Sequence, residues 1–262
     1  MCGGLWAPER PFGHAFGGVR MSSRPDPEPI RCRSLAVCLR GAISRAARTL
    51  PFAHALRLRL RSRQQIYATA YECKAWRSDE SGSGTGSELR ATAELRARLP
   101  EILQRLEVRT FLDAPCGDWN WMRLVDLPVD RYIGIDIVPT VIDDNQKRYG
   151  SEKVRFACLD LTTDPLPAAD LVLCRACLFH LSFADGRAVL NNLKKTGATY
   201  LLTNYFTDVA RNVDQFTGVP WRPLDLRQPP FGFPEPIESF HDHGDVVPTL
   251  VLGLWRFADL RL

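Results

Sequence analysis

The chain has 262 residues, 45% hydrophobic and 24% charged, enough to bury one full core with an appendage. Its net charge of +4 is uneven, because residues 1–63 hold twelve Arg and no Lys against three acids, a local +9 that leaves −5 for the remainder. A basic nucleic-acid surface is therefore not a property of the folded part, and no run approaches the roughly 18 apolar residues that a membrane helix needs.

Residues 1–64 read as an Arg-rich extension, partly disordered and partly helical, followed by one domain over 65–262. Within the extension, residues 34–60 place Leu, Val, Ile and Ala at helical intervals. Two readings stand: an organelle transit segment, or an extension from an upstream start codon ahead of the internal Met21. The eight cysteines show no disulfide-framework spacing, which fits a reducing, cytoplasmic compartment, with organelle targeting through residues 1–60 as the alternative. Cys174-Arg-Ala-Cys177 is a lone CxxC without a second ligand pair, so no metal is expected.

Residues 78–87 (SDESGSGTGS) have linker composition, and a lid over a bound anion is the rival reading. Thr85 and Glu88 have capping-box spacing and predict a helix carrying Leu89, Leu95, Leu99, Ile102, Leu103 and Leu106, split in two by Pro100. Strands are predicted at 109–114, 131–137, 153–159, 170–175 and 198–204, with helices at 139–149 and 184–195. Residues 205–236 form an irregular stretch with six prolines, read as a substrate or lid segment. A strand pair at 236–240 and 249–257 closes the chain. Strands spaced by helices predict an α/β fold of Rossmann-like, doubly wound type. The expected sheet is seven-stranded and mostly parallel, with an antiparallel C-terminal strand.

The most informative segment is Arg109 to Trp121 (RTFLDAPCGDWNW), a buried strand that ends on Asp113 and turns through Gly117. A nicotinamide-binding turn carries three glycines so that the backbone can approach a pyrophosphate. Here there is one glycine, and the carboxylate before the turn suits a cationic ligand, an ammonium or a sulfonium.

Leu112-Asp113-Ala-Pro115-Cys116-Gly117, Tyr132-Ile-Gly-Ile-Asp136 and Phe156-Ala-Cys-Leu-Asp160 together resemble the first three motifs of the class I S-adenosylmethionine-dependent methyltransferases. Pro115 and Trp119 stand where that family more usually has glycine. The resemblance implies S-adenosyl-L-methionine as cofactor, held by Asp113, Pro115, Cys116, Gly117, Asp136, Ile137, Asp160, Leu161 and Arg175. It implies that Asp136 binds the ribose hydroxyls, and that Asp160 meets the adenine amino group with Leu161 beside the ring. His180, in the loop after the fourth strand, is the candidate catalytic base, against a histidine that only shapes the loop. Asp118, Trp119, Trp121, Tyr205, Trp221 and Arg222 are candidate acceptor contacts. Of the two tryptophans after Gly117, one can cover the ligand while the other packs in the core, and the rival reading, which carries more weight, makes both core aromatics. The expected acceptor is a small molecule, namely a sugar, natural product or acid methylated on oxygen or nitrogen, with no membrane or nucleic-acid partner. A nicotinamide oxidoreductase and a non-catalytic relative of the fold are the rival readings. His241-Asp-His243 reads as an exposed loop and not as metal ligands.

Overall fold

A computed structural model describes residues 61–243 and 247–262 of the chain. The 1–60 segment, and with it the choice between transit peptide and extension, lies outside these residues.

Seven strands form one sheet: β1 (Thr110–Asp113), β2 (Arg131–Asp136), β3 (Val154–Cys158), β4 (Leu171–Cys174), β5 (Tyr200–Phe206), β6 (Glu238–His241) and β7 (Leu250–Arg256). Their order is β3-β2-β1-β4-β5-β7-β6. β1 to β5 pair in parallel, while β7 runs antiparallel to both β5 and β6. This is the seven-stranded, mostly parallel sheet expected, closed by the final strand pair.

The strands are short apolar runs because both faces of the sheet are covered, so β1, β2, β4 and β5 are buried at every position after the first. In β1, Phe111 joins one buried cluster and Leu112 the other; in β4, Leu171 and Leu173 face one way, Val172 and Cys174 the other. Helix α2 (Ala93–Arg105) covers the first face with Leu95, Leu99, Ile102 and Leu103, joined by Ile142 of α3 (Pro139–Tyr149). Helix α4 (Phe183–Lys194) covers the second with Val189, Leu190 and Leu193, and starts where the Ser182 hydroxyl accepts the Asp185 N–H. A further helix, α1 (Arg63–Glu72), is opened by a Ser62–Gln65 capping box.

Two local expectations are corrected. Thr85 and Glu88 do not cap a helix, because Thr85 lies in a single 3-10 turn and the Glu88 carboxylate accepts from the Ser78 hydroxyl at 2.7 Å. The helix begins only at Ala93. Pro100 does not split it either. A proline inside a helix costs about 3 kcal/mol. Buried Leu95 and Leu99 before Pro100, and Ile102 and Leu103 after it, hold both halves against the same sheet face.

β1 is followed in the sheet by β2 on one side and by β4 on the other, so the chain leaves β1 at the point where the strand order reverses. Loops at the carboxyl ends of β1 and β4 diverge there and leave a crevice. Among the described residues no helix is long and apolar enough to cross a membrane.

Gly134 shows how closely β2 is packed: a Cβ there would lie 2.7 Å from the Phe156 ring and 3.0 Å from the Cys116 sulfur. Gly134→Ala is expected to destabilise the protein by about 1–3 kcal/mol through overpacking. The shift in urea midpoint at unchanged m-value measures it.

Candidate active site

The crevice is a cavity of about 530 Å³ across the carboxyl ends of β1 to β5 and the amino end of β7. Its floor carries three carboxylates from adjacent strands, Asp113 and Asp136 as the last residues of β1 and β2 and Asp160 two residues past the end of β3. Pro115, Cys116, Gly117, Ile137, Leu161, Arg175 and His180 also line it. Every cofactor-site residue expected from the sequence, and the candidate base, thus meets one space.

Asp136 is buried, with Oδ2 accepting the Gly117 N–H at 3.1 Å and Oδ1 the Val138 N–H at 3.0 Å. Burial raises its carboxyl to about 6, although these backbone donors pull the other way. Asp113 is buried as deeply and accepts the Tyr132 hydroxyl at 2.7 Å. Its burial outweighs that bond and the Arg175 charge, and lifts the carboxyl to about 7. Asp160 differs. Burial raises it, but two donors on Thr162 and the Arg63 guanidinium outweigh this and hold it below the usual carboxylate range.

Arg63 comes from α1 and bridges Asp160 at 3.0 Å and Asp185 at 3.2 Å. Tyr67 and Tyr71 of the same helix also face the cavity. Neither α1 nor Arg63 was legible as site-forming, since RQQIYATAYE carries no motif and its partners lie about a hundred residues away.

The Ser/Gly segment 78–87 is a fixed cover and not a free linker. Asp118 accepts the Ser81 hydroxyl at 2.9 Å, the Gly82 N–H at 2.7 Å and the Ser83 hydroxyl at 3.0 Å. Its own N–H donates to Ser83. Gly117, at φ +56°, makes this approach possible, because a Cβ there would lie 2.3 Å from Ser83 Oγ. Ser83 to Ser87 then line the cavity.

On the far side, Arg175 reaches Asp242 through Nε at 3.1 Å and Nη2 at 2.9 Å, and donates to the Gly86 carbonyl at 2.7 Å. Asn204 holds the other Asp242 oxygen at 2.8 Å. The expectation of an exposed 241–243 loop is therefore corrected: Asp242 is 2% exposed, and His243 lines the cavity. His180 Nδ1 lies 3.2 Å from the Pro220 carbonyl, so Nδ1 carries the proton and Nε2 keeps its lone pair. Burial pulls the ring down to about 4, with the Pro220 carbonyl opposing, and His180 is neutral at physiological pH.

The candidate acceptor contacts separate. Trp121 lines the cavity beneath the Arg175 guanidinium, 5.5 Å from it, and Trp221 lines it too. Trp119 packs instead in an aromatic cluster with Tyr132, Tyr149 and Phe156. Asp118 holds the Ser/Gly cover, Tyr205 packs against Trp255 beneath Arg227, and Arg222 binds the Phe179 and Leu181 carbonyls. None of these last four is among the lining residues. Phe179, Phe206 and Val219 line the cavity and were not singled out by sequence, because apolar residues near a site look like core residues. Among the described residues no group of three or more His, Cys, Asp or Glu is placed to hold a metal ion.

Residues 112–197 match the model of a family described as "Methyltransferase domain". No curated protein matches the chain by sequence. Among solved structures, the chain is similar to the N-methyltransferase NodS from Bradyrhizobium japonicum WM9 in complex with S-adenosyl-L-homocysteine. That likeness has 15% identity over 73% of this chain and 98% of that one, with a TM-score of 0.48. It is also similar to the Burkholderia thailandensis 1,6-didemethyltoxoflavin-N1-methyltransferase, at 18% identity over 79% of this chain and 90% of that one, TM-score 0.49. The family match covers β1 to α4, the segment that carries all three carboxylates and His180. Residues 112–197 therefore carry the sequence pattern of a methyltransferase domain.

The raised Asp113 carboxyl has a measurable consequence. Between pH about 4 and 7 the native state keeps a proton that the unfolded state has lost, so this contribution to stability falls as pH rises through that window. Asp113→Asn removes the titration. Its stability relative to wild type is therefore expected to grow by roughly 3 kcal/mol between pH 5 and pH 8. Urea unfolding at the two pH values checks this, and a difference that stays flat would show that Asp113 is ionised throughout.

Proposed function

We propose that the chain is an S-adenosylmethionine-dependent methyltransferase that acts on a small-molecule acceptor, with the methyl donor held over β1 to β3 and the acceptor over β4, β5 and β7. The observation that carries the reading is the meeting of Asp113, Asp136 and Asp160 with His180 in one cavity, at the strand order's reversal. The volume is of the size that small ligands occupy. The donor set also fits. Three carboxylates, with no free cation beside them, suit a ligand that presents hydroxyls, an amino group, an ammonium and a sulfonium, and repel a pyrophosphate.

S-adenosylmethionine supplies an electrophilic methyl carbon when bound. Asp136, already aligned by the Gly117 and Val138 N–H groups, accepts the ribose hydroxyls through its remaining lone pairs. Asp160 and Leu161 face the adenine end. Both Asp160 oxygens are engaged by Arg63 and Thr162, so this contact uses lone pairs that those donors leave free. Asp113 faces the ammonium. Trp121 and the Ser/Gly cover exclude water from the same end, which strengthens every charge interaction inside. At the acceptor end, His180 Nε2 accepts a hydrogen bond from the hydroxyl or N–H to be methylated. The acceptor's lone pair would be directed at that methyl carbon, with the sulfur as the group that would leave and take the carbon–sulfur electrons. The acceptor's proton leaves through Nε2 to water. A ring with a conjugate acid near pH 4 is a weak proton store, so its main work is orientation, which needs no net protonation of the imidazole.

S-adenosylhomocysteine at 100 times its dissociation constant is expected to add about 2.7 kcal/mol of stability, and NADH none. Asp136→Ala should abolish that shift while the far-UV spectrum and cooperative unfolding persist. A thermal-shift panel measures both. Stabilisation by NADH, or the absence of any S-adenosylhomocysteine shift in the wild type, would overturn the cofactor assignment.

A further inference from the structure

The half of the cavity beyond Asp113 is built differently from the half before it. Of the described lining residues that follow β4 in the chain, Arg175 alone carries a charge, and its guanidinium is engaged by Asp242 and the Gly86 carbonyl. Arg63, at the opposite end, is likewise tied to Asp160 and Asp185, and Arg77, the third lining arginine, is engaged as well. An anionic acceptor would meet no uncommitted partner among these charges. The polar side chains left to a ligand here are His180 and His243, with the Thr85 and Ser87 hydroxyls of the cover on either side of Gly86. A sugar with more hydroxyls than these partners would bury some of them unpaired, at roughly 1–3 kcal/mol each.

The rest of the wall is aromatic and held rigid. Trp221 lies offset-stacked on Phe206, with planes 4° apart and centroids 5.7 Å apart. Phe179 meets Phe206 edge-on at 5.9 Å, and His180 tilts against Phe179 at 4.9 Å. Phe179 and Phe206 are buried, yet Trp221 is 54% exposed. That exposure is not slack in the strap. Pro220 accepts from His180 on one side of Trp221, and on the other Arg222 donates its N–H to the Phe179 carbonyl at 3.1 Å and Nη1 to the Leu181 carbonyl at 2.6 Å. A large indole surface is thus fixed at the cavity wall with its ordering entropy already lost, beside a neutral imidazole with one free lone pair.

We infer that the acceptor is a planar, uncharged aromatic or heteroaromatic compound carrying a hydroxyl or ring N–H, which stacks on Trp221 and directs that group to His180. The inference rests on the donor site proposed above and narrows the acceptor away from sugars and acids.

Titration calorimetry on the full chain tests it in two stages. S-adenosylhomocysteine is titrated first; failure to bind would remove the donor site, and with it the reading on which this inference rests. With S-adenosylhomocysteine saturating, 2-naphthol, glucose and benzoate are compared at pH 7.5. 2-Naphthol should bind at least about tenfold more tightly than the other two. Trp221→Ala should weaken 2-naphthol by about tenfold, Trp221→Phe by no more than about threefold, and neither should change S-adenosylhomocysteine affinity. Glucose or benzoate binding as tightly as 2-naphthol would overturn the inference and leave the donor site standing. So would an absence of 2-naphthol binding to the loaded protein, or an affinity that Trp221→Ala leaves unchanged.

Discussion

The buried ion pair between Arg175 and Asp242 is the contact on which the site's geometry depends. Arg175 follows β4, Asp242 follows β6, and the same pair binds Asn204 of β5 and the carbonyl of Gly86 in the Ser/Gly cover. Four segments far apart in sequence therefore meet at one pair of side chains, 5% and 2% exposed. Two charges removed from water this fully contribute little net stability, because desolvation offsets their attraction. Once the groups are buried, however, losing one partner leaves an uncompensated charge at a cost of roughly 3–5 kcal/mol. The pair thus disfavours any arrangement in which the cover or the 241–243 segment moves away. It also neutralises the Arg175 charge at the cavity wall.

The donor end is assembled by a second tie. Gly117 has no side chain and a left-handed backbone, so Ser83 can lie directly over the β1 turn while Asp118 gathers the hydroxyls and N–H of residues 81–83. The cover and α1 together close the cavity over carboxylates that would otherwise face solvent. This closure lifts Asp113 and Asp136 toward neutral pH, since each keeps few donors and no salt bridge, while Asp160, bonded to Arg63 and Thr162, stays low. Three acids at or just past adjacent strand ends thus acquire different proton affinities from their surroundings.

The wall around Trp221 follows from a third constraint. A proline-rich segment offers few N–H donors, so it cannot add a strand or helix to the sheet. It is held instead by side chains: Arg222 on the Phe179 and Leu181 carbonyls, Asn212 on the Asp225 and Pro229 carbonyls, and Trp255 on the Pro234 carbonyl. Leu224, Leu226, Phe231 and Phe233 bury its inner side. What this packing leaves facing the cavity is Val219 and Trp221.

The parallel core strands, the closing strand pair and the helices α3 and α4 were legible in the amino-acid sequence to within a residue or two at most ends, because apolar periodicity and chain reversal are local signals. So were Asp113, Asp136 and Asp160, since a strand that stops on a carboxylate marks itself. The Thr85 box and the break at Pro100 were misread for the same reason: local propensity has no access to the bond from Ser78 to Glu88 or to the sheet face that holds α2 together. Trp119 and Trp121, two residues apart with the same side chain, could be separated only by the fold, which gives one to an aromatic cluster and the other to the cavity. Arg63 acquires its role from partners 97 and 122 residues away and Asp242 from one 67 residues away, beyond any local window of sequence. The sequence by itself determined the sheet and the carboxylates at its strand ends, because both are written in contiguous strand-and-turn segments. Tertiary structure decided which charges are neutralised and which aromatic face is presented, because those depend on long-range contacts that only the closed fold creates.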